Sequence, residues 1–345
     1  MEETYTEFMQ SAGARMQSAY AKRLLSSLAG RSGGDNLFAD AAALLHTAFA
    51  DVLTVPDFLA PAFFLCAFAL AVRLLGGAMK SNRVCRAADM FTTLLLATVV
   101  VGAAFETLSD CAIYMRDISL FFGSLAPVIG ILTASGGNLA AAGAGSIALS
   151  VFLAIAEWIV MRLAPFAITC FLGFALIGAS GGSAALLSLT KGARNVLFGF
   201  FSLLTSVFFI IVGCQNVAAA NADTLSAKTL RLLVSNAVPI VGGTIGDALK
   251  LVSGSLITIK NVTGISSVLF LVAMFCPVLI RLWFWGILLS LLGFFCECAE
   301  LSAAKNLFLQ VKCAFDFALA ANTSVVVMGL LNIGIFMGSL PAVAA

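Results

Sequence analysis

The stretch "MFCPVLIRLWFWGILL", Met274 to Leu289, carries one charge in sixteen residues, and similar apolar runs recur along the chain. The protein has 345 residues, of which 61% are hydrophobic and 10% charged, and its mean hydropathy is +1.07. A soluble domain has about 25% charged residues, and about 20 apolar residues cross the hydrocarbon of a bilayer. The sequence therefore predicts an all-α, polytopic transmembrane protein.

The chain divides into a polar segment, residues 1–56, and a multi-span region, residues 57–345. Two apolar segments of that region, 118–134 and 231–249, are short or interrupted by Pro and Gly, so they allow re-entrant hairpins in place of crossings. The apolar segments lie near 58–79, 90–109, 118–134, 139–160, 163–189, 195–214, 231–249, 252–276, 278–296 and 317–340.

Basic residues gather in three places, which the positive-inside rule assigns to the cytoplasm. Four apolar segments separate each group from the next, and an even number of crossings returns the chain to the same side. The polar N-terminal segment is then extracytoplasmic, which favours a signal sequence that has been lost or cleaved. The basic residues are Lys80, Arg83, Arg86, Lys191, Arg194, Lys305 and Lys312.

Proline spacing indicates a degenerate internal repeat. Pro127 and Pro165 are 38 residues apart, as are Pro239 and Pro277, and the second pair follows the first by 112 residues. We predict parallel tandem units near 57–160, 161–272 and 273–345, because each contains an even number of crossings.

The sequence contains few features that are typical of an enzyme. No hydrolase, kinase, P-loop or metalloprotease motif is present, and nine scattered cysteines with one histidine make a metal site improbable. We expect no catalytic residues, no cofactor and no nucleic-acid partner. Arg281 is a charge at membrane depth, which marks either an interface between two crossings or a polar interior. The neighbouring Trp283 and Trp285 favour the interface.

Helix breakers and charges meet in "VPIVGGTIGDALKLVSGSLITIKN", Val238 to Asn261. Proline removes a backbone donor and glycine lowers helix propensity, so Pro239 and Gly242 predict a helix break. Pro127 and Gly130 in "APVIG" predict a matching break 112 residues earlier.

The charges after this break fall on one helix face. Gly243, Asp247, Lys250 and Gly254 form a stripe of small and charged positions, and Lys260 follows. Such a stripe suits the lining of a water-filled path or a close helix contact. The alternative is an amphipathic helix at the membrane surface.

The block Ser235 to Leu282 resembles the signature region of the stage III sporulation protein AE family. That family has a V-P-(V/I)-V-G motif, seen here from Val238 to Gly242, and then an aspartate, here Asp247. A K-N element that ends at Asn261 follows, and the run Pro277-Val278-Leu279-Ile280-Arg281 resembles the family's P-x-(I/L)-(K/R) element with one more residue before the arginine. The resemblance covers most of residues 57–340.

The resemblance implies a function that composition does not. Family members are multi-pass proteins of the mother-cell membrane around the forespore, in a channel-like, secretion-type complex that supports forespore development. It implies other stage III sporulation proteins as partners, including a cytoplasmic ATPase, and the N-terminal segment would face the space between the two membranes. A homo-oligomer is compatible with this role. The alternative is a secondary transporter of a small solute, for which broken helices and repeats are typical.

Overall fold

The computed structural model describes residues 59–78, 82–135, 151–152, 154–155, 158–181, 184–237 and 242–338. This part of the chain is helical throughout and contains no strand, which confirms the all-α prediction. A turn of π-helix, Ile159–Leu163, leads directly into α3. The helices are α1 (Leu59–Ala78), α2 (Asn82–Ser135), α3 (Ala164–Gly181), α4 (Ala184–Ala237), α5 (Gly242–Cys298) and α6 (Ser302–Gly338).

Four helices in the described part of the chain are long and apolar enough to cross a membrane. The candidate spans within these helices range from 27 to 34 residues, and about 20 residues are enough to cross the hydrocarbon of a bilayer. Two shorter apolar stretches, Leu59–Ala71 and Ala164–Ala179, lie in α1 and α3. The candidate spans are Met90–Gly123, Ala185–Ile211, Ser267–Cys298 and Ser302–Gly334.

The helices are longer than the apolar segments of the sequence. Segments 90–109 and 118–134 belong to the single helix α2, because residues 110–117 include three charged side chains but neither Pro nor Gly. Segments 252–276 and 278–296 belong to α5, which continues through Pro277. A proline removes one donor, and a transmembrane helix tolerates that loss where its neighbours satisfy the freed groups. The predicted boundaries within these helices were wrong.

One predicted helix break lies within a continuous helix, and the other lies partly outside the described residues. Helix α2 continues to Ser135, through Pro127 and Gly130, and the re-entrant hairpins are not confirmed. Helix α4 ends at Ala237 and α5 begins at Gly242, while residues 238–241, with Pro239, lie outside the described residues. The N-terminal segment 1–56 also lies outside them. The tandem repeat stays a prediction.

Helix α6 is the central helix of the bundle and packs against α2, α3, α4 and α5. Buried side chains make up 61% of its apolar window. Aromatic pairs fix its neighbours: Trp285 of α5 stacks on Phe315 at 4.7 Å between ring centroids, and Phe317 contacts both Phe171 of α3 and Phe201 of α4. Each such pair adds about 0.5–1.5 kcal/mol beyond its buried area. Trp285 is buried, whereas the neighbouring Trp283 is exposed.

The six helices form three helical hairpins: α1–α2, α3–α4 and α5–α6. Helices α5 and α6 are joined by a short turn, Ala299 to Leu301. Helix α3 runs antiparallel to α6, since Gly178 lies against Gln310 and the Phe171 ring against Phe317. The end of α3 therefore lies near the start of α6.

The three hairpin junctions lie at one end of the bundle. Helix α2 runs antiparallel to α5, because Asp110 contacts Arg281 and both Phe122 and Leu271 lie beside Gly329. The same register places residues near 92 of α2 at the level of the α5–α6 turn, and the start of α2 extends beyond that level. The basic residues of the sequence analysis lie at the α1–α2 junction or within the first eleven positions of α2, α4 and α6. Lys191, Arg194, Lys305 and Lys312, which the sequence analysis placed in connections, thus lie inside helices.

Candidate functional site

The predicted charged stripe lies in the first part of α5. Gly243, Asp247, Lys250, Gly254 and Lys260 belong to this helix, but their side chains lie outside the described ones. Whether they line a path or contact a helix stays a prediction. Three ion pairs in the described structure each join two helices or the two ends of a turn.

The first pair joins α2 to α5. Arg281 Nη1 lies 3.5 Å from Asp110 Oδ2, and Glu106, one turn before Asp110, is exposed and has no ion pair among the described residues. Both members of the pair lie in the central part of candidate spans. A charge at the centre of a transmembrane helix costs about 2.5–3.5 kcal/mol on insertion scales, so pairing favours this contact.

The second pair joins α4 to α6. Arg194 Nε lies 2.9 Å from Asp316 Oδ2, and the guanidinium also lies over the Phe198 ring, 4.9 Å from its centroid. On the opposite side, a Cβ placed on Gly286 of α5 would be 3.9 Å from Asp316 Oδ1. The carboxylate thus sits where α4, α5 and α6 meet.

The two interhelical pairs lie at nearly the same height in the bundle. Trp285 stacks on Phe315 and Gly286 lies beside Asp316, so Asp316 is at the level of Trp285 and Gly286 on α5. Arg281 is about one helical turn from that level. A third ion pair, Lys305 with Glu297, closes the α5–α6 turn at the end of the bundle. The arrangement places a level of charge inside apolar helices, and Arg194 belongs to that level although it is the eleventh residue of α4.

Helix α6 also carries polar side chains in its buried face. Gln310 is fully buried, and neither its Oε1 nor its Nε2 finds a hydrogen-bond partner in the described structure. Its amide lies against Gly178 of α3, where a Cβ would overlap it. Asn322 and Asn332 each donate to a carbonyl one turn earlier, those of Ala318 and Met328. These groups suit interhelical contacts within a membrane.

Large apolar side chains cover the outside of the same bundle. Exposed apolar side chains of this kind match a protein whose solvent is lipid. The most exposed large side chains include Phe64, Phe91, Phe166, Val196, Leu203, Trp283 and Phe294.

Cysteines behave mainly as packing residues in the described bundle. Cys66 of α1 and Cys296 of α5 are buried with their sulfurs 3.7 Å apart, next to the Phe63–Phe295 ring contact. The sequence showed only Cys296 and Cys298 as neighbours, because spacing along the chain does not show which helices meet. No cluster of three or more metal-ligating residues occurs among the described residues.

Sequence reasoning found Arg281 and Arg194 but missed both of their carboxylate partners. A signal was present, since Asp316 interrupts the apolar "CAFDFALAA" and Asp110 lies between two apolar halves of α2. An acid inside an apolar run is as costly as a base, and it predicts a partner at the same depth.

The candidate spans and the apolar exterior together define a polytopic helical membrane protein. The family model of stage III sporulation protein AE matches residues 23–339. The chain belongs to the stage III sporulation protein AE family.

A curated relative agrees with this assignment. It is the "Stage III sporulation protein AE" of Bacillus subtilis (strain 168), which is 20% identical over 230 residues. The match covers 67% of this chain and 58% of that protein, so less than two thirds of the relative's length is represented. No solved structure matches the chain.

Proposed function

We propose that this protein is a non-enzymatic membrane component of a sporulation-specific, secretion-like channel complex between mother cell and forespore, and that forespore development requires it. The observation that carries the proposal is the family match over residues 23–339. Its location would be the mother-cell membrane around the forespore, with residues 1–56 in the intermembrane space.

The bundle supports a role in assembly. Its described part carries interhelical charges at a central level but no cluster of metal-ligating residues. The partners would be other stage III sporulation proteins, including a cytoplasmic ATPase, and further copies of this chain. The basic hairpin junctions offer one end of the bundle to such an ATPase, if that end is cytoplasmic as the positive-inside rule predicts.

The charged stripe of α5 is part of the proposal. Gly243, Asp247, Lys250, Gly254 and Lys260 would line a path or contact a partner helix. Single cysteines placed through residues 239–260 test this with a membrane-impermeant maleimide. We expect labelling to recur every three or four residues along the stripe. Labelling confined to one end of the segment would contradict the conduit.

The membership of the complex has its own experiment. A tagged chain purified from sporulating cells should recover the sporulation ATPase, and the same chain in proteoliposomes should take up no small solute in a coupled manner. Coupled uptake without recovery of sporulation proteins would support the alternative, a secondary transporter. A preparation from vegetative cells that express the chain is the matched control for recovery.

A further inference from the structure

The charges of the α2–α5 pair face outward. The side chains of Arg281 and Asp110 are 43% and 45% exposed, although both lie in the central part of candidate spans. Glu106 is exposed one turn away on α2. We call Glu106, Asp110 and Arg281 the mid-bundle charged face. By contrast, Asp316 is 17% exposed and is covered by α4 and α5.

Contact with lipid hydrocarbon is unfavourable for the charged side chains of this face. Large apolar side chains surround it: Phe105 and Ile113 on α2, and Trp283 on α5, are exposed. The charged face thus has exposed apolar neighbours on both of its helices. An intramembrane charge normally faces a bundle interior, a water-filled cavity or another protein. In the described structure the Arg281 guanidinium, which has five N–H groups, contacts Asp110 at 3.5 Å.

We propose that a second copy of this chain covers the mid-bundle charged face. Copies inserted by the same topology rule have the same orientation, so their symmetry axis lies along the membrane normal and only residues of equal depth meet. Asp110 and Arg281 touch each other, so they share a depth. A two-fold axis beside them brings Asp110 of each copy to Arg281 of the other. The face is therefore complementary to itself.

The remaining acid fits the same contact. Glu106 lies within one turn of Asp110, so an arginine from the second copy can approach both carboxylates. Neighbouring apolar side chains such as Phe105 and Trp283 would pack around the charges and exclude lipid and water. Charge pairing of this kind fixes register as well as partner choice.

The inference rests on the membrane placement and self-association in the proposed function, not on the sporulation complex. Self-association and recovery of the ATPase are separate measurements, so either can fail alone. The test uses two differently tagged full-length chains, expressed together and solubilised in mild detergent. The readout is the fraction of one tag that copurifies with the other.

Charge reversal separates contacts within a chain from contacts between chains. Asp110→Lys and Arg281→Glu should each lower copurification at least about tenfold when both tagged copies carry the same change, because like charges then meet. Asp110→Lys in one copy with Arg281→Glu in the other should restore it. Each chain still has its internal repulsion in this mixture, so only a contact between copies explains the rescue.

The matched control is the ion pair of the α5–α6 turn. Glu297→Lys and Lys305→Glu reverse a pair that lies at the end of the bundle, and they should leave copurification unchanged. Monomer yield and thermal unfolding of each variant show whether it folds.

Three results would overturn the proposal. The first is that folded wild-type copies do not copurify, and the second is that reversal has no effect. The third is that the mixed pair is not rescued. Labelling of Arg281→Cys by a membrane-impermeant reagent in a monomeric protein would instead assign the face to water.

Discussion

Helices α4 and α6 read almost alike in sequence but hold opposite places in the bundle. The mean hydropathy of their apolar windows is 1.8 and 1.7, yet 11% of the α4 window and 61% of the α6 window is buried. Lipid is as apolar as a leucine side chain, so hydrophobicity does not drive one helix inward. Part of the difference lies in amide side chains, since α6 buries Gln310, Asn322 and Asn332 whereas Asn195 of α4 is exposed.

Helix α4 instead directs its apolar side chains outward. Val196, Leu203, Phe209 and Ile210 are exposed, and the helix reaches α6 along one edge, through Phe201 and the Arg194 pair. The comparison teaches that a polar side chain in a membrane helix predicts contact with protein better than an apolar one does. Three experiments test this contrast.

Native cysteines should show the largest difference. Cys214 of α4 is exposed and Cys313 of α6 is buried. In detergent, a membrane-permeant maleimide should label Cys214 at least about tenfold faster, because Cys313 reacts only when the bundle opens. Mass spectrometry of labelled peptides measures both sites in one protein, and unfolding in SDS should equalise them. Equal rates in the folded protein would contradict the central position of α6.

Glycine substitutions should give the next largest effect. A Cβ at Gly329 of α6 would be 2.7 Å from the buried Phe122 ring, whereas one at Gly199 of α4 meets no atom within 4 Å. Gly329→Ala should lower the free energy of unfolding by up to about 3 kcal/mol through overpacking. Gly199→Ala should leave it unchanged or raise it by about 1 kcal/mol through helix propensity.

Unfolding of the two variants in the same mixed micelles provides the measurement. Gly334→Ala is the control within α6, because it also meets no atom within 4 Å. A loss of stability at Gly334 equal to that at Gly329 would show that the effect is not steric.

The Arg194–Asp316 pair should give the smallest effect. Because both side chains keep some exposure, we expect a coupling energy of about 1 kcal/mol in a double-mutant cycle of Arg194→Gln and Asp316→Asn. The Glu297–Lys305 pair of the turn, treated in the same way, should show less than about 0.5 kcal/mol. If the turn pair couples more strongly, depth in the bundle does not set the strength of these contacts.

The sequence predicted the membrane class, the helical fold and the family, because these follow from composition and from local motifs around Pro239 and Pro277. It did not predict helix lengths. Hydropathy falls wherever polar residues occur, whereas a helix ends only where its backbone can no longer continue. Residues 110–117 lower hydropathy inside α2 without ending it.

The partners of the charged residues could not be predicted from the sequence, for a different reason. Arg194 and Asp316 are 122 positions apart, and Asp110 and Arg281 are 171 apart. Which helices touch depends on how they pack, and the spacing of residues along the chain does not show which helices pack together. Only the depth of a charge could be inferred.

The hairpin arrangement has a consequence for how the protein is made. Three antiparallel helix pairs have their junctions at one end, and each has basic residues at its junction or early in its second helix. The last of these pairs, α5–α6, has two candidate spans joined by a short turn, so it can enter the bilayer as one unit with Lys305 retained on the side of synthesis. Among the described helices α6 is made last, so the helices made before it reside in lipid until the central helix arrives.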